Sequence, residues 1–195
     1  MPDTTVRSKV RFGICNAHYA LLKADGTYED PVPMPGAESV DVSTSGGNNS
    51  AIYADNEPFY NSSSSSSVEL SVQMARFPRS FLTDVCGQTE ETNGAISQSP
   101  DDTGKEFAFM FELSGDQGGY RVCYFRCTAT VPVSSASTNT DSVSEAPETS
   151  TFTAVGAKMP DGKTRTSTRC ETGDAAYADF LTKVPFSTAT SGVSE

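Results

Sequence analysis

The stretch Glu106–Val131, EFAFMFELSGDQGGYRVCYFRCTATV, holds two apolar runs joined by a glycine-rich turn. In the first run Phe107, Phe109, Phe111 and Leu113 fall on one parity, the period of two that marks a strand with one face in a core. Gly115-Asp116-Gln117-Gly118-Gly119 then leads into Tyr120–Val131, and an antiparallel hairpin is the simplest connection. These two strands are expected at the centre of the fold. On a regular strand Cys123 and Cys127 point to one face roughly 13 Å apart. That is too far for one metal ion unaided, so both read as small buried hydrophobes.

Outward from this hairpin the same period recurs. Val68, Leu70, Val72 and Met74 alternate with Glu69, Ser71 and Gln73, the pattern of a half-buried strand. Val10–Leu22 is apolar on both parities: Phe12, Ile14, His18, Ala20 and Leu22 on one, Cys15, Ala17, Tyr19 and Leu21 on the other. A strand covered on both sides suits that pattern. Asp25-Gly26 marks a turn, and the proline-rich Pro31–Gly36 can only be an edge or a connector. Pro78–Cys86 reads as a short helix with Phe81, Leu82 and Val85 on one face and Gly87 as its stop. Thr149–Ala157 and Lys163–Cys170 are expected to pair across Pro160-Asp161-Gly162. A second helix is expected over Asp174–Lys183, with Tyr177, Phe180, Leu181 and Val184 at helical spacing.

Between these elements lies an unusual polar segment. A short strand Val40–Ser43 precedes Ser45-Gly46-Gly47-Asn48-Asn49, which is loop by composition. Ser50–Asn56 is extended, and Ser62 to Ser67 are six consecutive serines. Residues 41–67 are therefore expected to form a long loop, a feature that in compact domains usually serves binding or assembly. Tyr53, Phe59 and Tyr60 sit in or beside it, either folded back on the core or anchoring a contact with another subunit. The organisation expected is an N-terminal arm (1–9), one domain (10–184) with a polar loop or arm at 134–148, and a C-terminal tail (185–195).

Composition narrows the function. The 195 residues suffice for one domain with a core, and a Ser/Thr-rich chain with no Trp favours a mainly β class. A net charge of −11, from 25 acidic and 14 basic residues, argues against nucleic-acid binding, which needs clustered Lys and Arg. MPDTTVRSKV lacks an apolar core of a signal peptide, and no apolar run approaches ~18 residues, so neither export nor a membrane partner is expected. The five cysteines, odd in number and irregularly spaced, read as reduced thiols. The single histidine, His18, lies mid-strand among apolar neighbours and reads as packed or surface rather than as a general base. No nucleophile elbow or phosphate loop occurs. No catalytic, cofactor-binding or metal residue is assigned, and no enzymatic activity is expected.

A resemblance takes the reading further. Lys9–Ser43 is similar to the opening of major tail proteins from long-tailed bacteriophages: a strand ending in Tyr19-Ala20, the turn Asp25-Gly26-Thr27-Tyr28, and the run Pro31–Ala37. The element Tyr53-Ala54-Asp55-Asn56-Glu57-Pro58-Phe59-Tyr60, the strand at Glu69–Gln73, the helix from Pro78 to Gly87, Phe107–Glu112 and Cys127–Ala129 follow in the family's order. The resemblance covers most of Lys9 to Val131. It implies a two-sheet β-sandwich or flattened barrel of the tail-tube type with a short flanking helix. It further implies homo-hexameric rings stacked head to tail into a hollow tube, located in the virion and assembled in the bacterial host cytoplasm. Tape-measure, tail-tip and tail-terminator proteins are implied as partners, with phage DNA passing through without specific binding. Gly46, Gly47, Asn48, Asn49, Tyr53, Asp55, Asn56, Phe59 and Tyr60 then become the candidate ring-stacking residues. The competing class is a β-sandwich binding module, of adhesin or carbohydrate-binding type, with Tyr53, Phe59 and Tyr60 as a stacking platform. A weaker third reading is an enzyme built on His18 and a nearby cysteine.

Overall fold

In a computed structural model, which describes residues 10–47, 50–54, 57–62, 65–116, 118–134 and 146–185, the chain is mainly β, with antiparallel ladders and one short helix. The elements in order are β1 Arg11–Leu21, β2 Val32–Pro33, β3 Ala37–Gly47, β4 Ser50–Ala54, β5 Glu57–Ser62, β6 Ser65–Met74 and α1 Arg79–Asp84. They continue with β7 Thr89–Glu90, β8 Ile96–Ser97, β9 Phe107–Gly115, β10 Tyr120–Ala129, β11 Val133–Ser134 and β12 Glu148–Val155. The last are β13 Ala157–Lys158, β14 Thr164–Arg165 and β15 Ser167–Glu171. The main sheet runs β2-β1-β9-β10-β12-β6-β3, with β11 on β12 and β15 on β10. It curls enough to bring Cα atoms of β3 within 8 Å of β1, although no described ladder joins the two.

The expected central hairpin is present, with Phe111 opposite Val122 and Leu113 opposite Tyr120. Phe107, Phe109 and Phe111 enter one core together with Leu70, Val72 and Met74 of β6 and Phe152 of β12, as the alternation requires. Helix α1 lays Phe81 into the middle of this core. Its ring centroid lies 5.5 Å from Tyr19, 5.2 Å from Phe77, 5.7 Å from Phe107 and 5.6 Å from Phe152. The Tyr19 hydroxyl, sealed beneath the helix, donates to Asp84 Oδ2 at 3.0 Å, and burial pushes its pKa up to about 12. Pro78 is the N-cap (φ −59°, ψ 144°), one position earlier than the first helical turn it was expected to occupy.

Two bulges decide which side chain reaches which face. Between Cys15 and His18, β1 holds one more residue than β9, and Asn16 takes φ 50° there. Asparagine tolerates this left-handed conformation better than most residues. The extra residue puts Ile14 on the same core as Tyr19, which strict alternation forbids. Between Tyr124 and Cys127, β10 does the same with Arg126 at φ 44°. As a result Cys123 and Cys127 lie in different clusters on opposite faces, correcting the expectation that they share one. All five thiols are free. Burial raises the pKa of Cys86 and Cys170 to about 11 and that of Cys123 and Cys127 further, so these four are protonated and inert near neutrality.

The same bulge divides the free edge of β10. Its first half, Tyr120–Tyr124, pairs with β15, while Cys127–Ala129 pairs with β12. The expected hairpin across Pro160-Asp161-Gly162 is therefore confined to β13 and β14, beyond which the strands part to different halves of β10.

The second face of the sheet carries another core of Ala20, Ala108, Met110, Cys123, Phe125, Met159 and Cys170. It is covered by the segment after β15, through Phe180 and Val184 with Tyr177 and Leu181 half-buried beside them. The helix expected over Asp174–Lys183 is not shown. The segment is a train of turns in which Tyr177 N bonds Asp174 O at 3.0 Å and Phe180 N bonds Tyr177 O at 3.4 Å. The Tyr177 carbonyl also accepts from Arg121 Nη1, which draws this backbone toward the sheet. The arm 1–9, residues 135–145 of the polar loop and the tail from 186 lie outside the described residues, while Val133 and Ser134 pair with the start of β12.

Phe81→Ala removes the ring on which four other aromatics converge and should lower unfolding stability by about 3–5 kcal/mol, measured by equilibrium urea denaturation. A loss below about 1 kcal/mol would mean that the helix is not seated in the core as described.

Candidate assembly surface

The polar segment 41–67, expected as a loop, is largely strand. The β3–β6 ladder runs from Ala37 opposite Met74 to Gly47 opposite Ser65. Nested inside it, β4 pairs with β5 from Ser50 opposite Ser62 to Ala54 opposite Glu57. The serine run contributes Ser62 to β5 and Ser65–Ser67 to β6, leaving Ser63 and Ser64 outside the described residues. Serine and glycine give no apolar alternation, so composition alone reads as loop even though the backbone groups pair across the ladder.

This ribbon outruns its support. Strand β12 flanks β6 only as far as Val155 opposite Ser67. Beyond that pair β6 bonds only β3, and β4 and β5 bond only each other among the described residues. A two-stranded hairpin in water is marginal without a third strand or a packed face. Strand β3 also ends the main sheet, and among the described residues no ladder covers its outer edge; Glu38 and Asp41 supply negative charge on this strand.

Of the nine candidate residues, Gly46 and Gly47 end β3, Tyr53 lies in β4, and Phe59 and Tyr60 lie in β5. Tyr60 stands opposite Ile52 and Pro58 opposite Tyr53, so Phe59 is the extra residue of a bulge. Asn48, Asn49, Asp55 and Asn56 lie outside the described residues. The ladder brings Tyr53, Phe59 and Tyr60 together near one end of the ribbon and places Gly46 and Gly47 lower, beside Ser65–Ser67.

A second polar constellation lies on the opposite side of the fold from α1. Arg121 and Glu112 stand directly across the β9–β10 ladder and form an ion pair at 2.9 Å, with side chains 16% and 14% exposed. Glu112 also accepts from Tyr177 Oη at 2.9 Å and from Asn16 Nδ2 at 3.2 Å. The Arg121 guanidinium lies 3.9 Å from the centroid of the Tyr177 ring. Burial works to raise the Glu112 pKa, but the bonds from Arg121, Tyr177 and Asn16 outweigh it and hold the carboxyl below the usual glutamate range. A Cβ on Gly119 would strike both the Tyr177 hydroxyl and Glu112, so glycine is required there for close approach. The arrangement clamps the C-terminal segment to the sheet. Its signal was in the sequence: once Leu113 is set against Tyr120, Glu112 necessarily faces Arg121.

His18 Nδ1 lies 2.8 Å from its near neighbour Asn16 O, as the ring donor of a local turn contact. No group of three or more His, Cys, Asp or Glu among the described residues is placed to hold a metal ion.

Because the folded pKa of Glu112 is depressed, the clamp contributes its full stability above the ordinary glutamate value and loses it as pH falls through the folded one. Glu112→Gln should therefore cost about 1.5–3 kcal/mol at neutral pH and flatten the fall in stability below about pH 4.3. Urea midpoints measured from pH 3 to pH 7 test this, and parallel curves for the two proteins would remove the clamp from the acid response.

No protein-family model matches this chain, and no curated protein matches its sequence.

Proposed function

We propose that this protein is a structural subunit that polymerises as stacked hexameric rings into a phage tail tube, the conduit for DNA during ejection. The observation that carries the reading is the ribbon of β3 to β6, which extends past the last flanking strand and places the Tyr53-to-Tyr60 element at its far ladder. Such a ribbon gains stability by lying against a neighbouring subunit. The finer architecture, a two-sheet sandwich or flattened barrel of the tail-tube type, belongs to this proposal. It is supported by a curled sheet with both faces covered and one helix against the inner core.

The charge is consistent with such a conduit. A net −11 repels phosphate, and a wall that repels DNA lets it slide rather than stick. Tape-measure, tail-tip and terminator proteins belong to the same proposal as partners at the tube's ends and within its bore.

Purified protein examined by size exclusion with light scattering and by negative-stain electron microscopy should give rings or tubes. Removing Gly46–Tyr60 joins Ser45 to Asn61 and leaves the Ser45–Ser67 pair closed by a short loop, so the domain should stay folded while tube growth is lost. Normal polymerisation of that deletant would reject the ribbon as the stacking element. A full-length protein that stays monomeric with added tail-tip fraction and binds a glycan through Tyr53, Phe59 and Tyr60 would favour the binding-module reading instead.

A further inference from the structure

Strand β15 follows the edge of β10 as far as Glu171 opposite Tyr120, and Thr172 closes the ladder. The Thr172 N–H donates to Gly119 O at 3.1 Å, and its Oγ1 accepts from Gly119 N at 2.8 Å. Gly173 then takes φ 104°, a left-handed conformation that favours glycine, and the chain leaves the ladder there. Over 174–183 the backbone bonds close local turns: Tyr177 N donates to Asp174 O, Phe180 N to Tyr177 O, and Thr182 N and Lys183 N to Asp179 O. Side chains make the ties to the sheet. Phe180 and Val184 are buried in the second core, Arg121 donates to the Tyr177 carbonyl, and the Tyr177 hydroxyl donates to Glu112. No described residue of this segment belongs to the first core, where Phe81 meets its four aromatic neighbours.

We propose that residues 173–185 form a strap that opens as a unit about Gly173, with Glu112, Arg121 and Tyr177 as its latch. Opening uncovers the second face while the sheet and the first core stay folded. No ladder has to break, because β9, β10 and β15 pair with one another and not with the strap. The closed form gains two buried anchors and one polar latch, set against the entropy of ordering every residue of the strap. A segment with local backbone bonds and few apolar anchors belongs at the low end of a protein's range of opening free energies. Rupture of the first core lies at the high end, since it exposes Phe81 and the rings around it together. The inference rests on the fold alone and stands or fails independently of the tube.

The native cysteines report the two events separately. Cys170 stands opposite Arg121 and is buried in the second core, whereas Cys86 and Cys127 are buried in the first. Wild-type protein is treated with N-ethylmaleimide over a series of urea concentrations below the unfolding transition, and peptide mass spectrometry follows each site. Cys170 should react at least about tenfold faster than Cys86 and Cys127, with a much shallower urea dependence, because strap opening exposes little surface. Glu112→Gln weakens the latch and should speed Cys170 about 10- to 100-fold. Phe81→Leu weakens the first core alone, and should speed Cys86 and Cys127 while leaving Cys170 unchanged. Cys170 reacting in step with the other two, at the urea slope of global unfolding or in response to Phe81→Leu, would overturn the proposal. A Cys170 rate that Glu112→Gln leaves unchanged would overturn it as well, since the thiol would then be reacting in the closed form.

Discussion

The architecture depends on one extra residue in β10. Arg126 adopts φ 44°, a conformation that costs a side chain about 1–2 kcal/mol and that arginine has no intrinsic reason to favour. It is held by its guanidinium against Glu106, at 3.0 and 2.9 Å, and by its backbone N–H donating to the Tyr28 hydroxyl at 3.3 Å. Three consequences follow from that bulge. Phe125 stays on the outer core while Cys127 turns to the inner one. The edge of β10 is divided between β15 and β12. The C-terminal segment, which leaves β15 on the outer side, then lies over Phe125 and Met110, where the Glu112–Arg121 pair fastens it. Both cores and the covering of the second face are therefore tied to a strained position stabilised from two other elements.

That dependence explains what the sequence disclosed and what it hid. The period of two in Phe107–Leu113 and Val68–Met74 survives in the fold because each side chain on that parity meets the same core. Helix α1 was legible because proline, an apolar face and a glycine coincide within ten residues. The bulges were not. Asn16 carries a weak local preference for its conformation, but Arg126 carries none, and the partners that hold it, Glu106 and Tyr28, are distant in sequence. Tyr177, Phe180, Leu181 and Val184 have helical spacing, yet a train of turns brings the same four side chains onto the sheet, with the Tyr177 carbonyl accepting from both Phe180 N–H and Arg121. Within the candidate surface, Ser50–Asn56 was expected to be extended, and Ser50–Ala54 is strand, while Asp55 and Asn56 lie outside the described residues. The pairing of the serine run was not legible, since polar strands show no alternation and their register is set by the partner strand.

The ribbon and the covered outer face are two solutions to one problem of exposed sheet. On the second face, the C-terminal segment covers the apolar side chains within the same chain. At β3 to β6 the described fold supplies no equivalent cover, and the chain instead uses serine, glycine and acidic residues that tolerate water. A sequence under selection only for a stable monomer gains little from so long a two-stranded extension, because each ordered residue costs about 1–2 kcal/mol of backbone entropy. The proposed assembly would give a physical reason for retaining it, because contact with another subunit would offset that entropy.

The register also fixes where such contacts can lie. Leu21, Phe107, Cys127, Ala154, Val68 and Thr44 are successive ladder partners and define one rim of the main sheet, and the ribbon leaves from that rim. Phe12 opposite Ser114 and Tyr120 opposite both Leu113 and Glu171 define the other. At that far rim Val10 and Phe12 are 57% and 56% exposed, two of the most exposed large apolar side chains described. Open head-to-tail stacking requires two different, complementary faces, whereas a closed two-fold dimer needs only one face meeting itself. An extending element at one rim and uncovered apolar side chains at the opposite rim match the first requirement. The β-sheet register directs the ribbon away from the rim that carries Phe12, and in the proposed tube that direction would be the stacking axis.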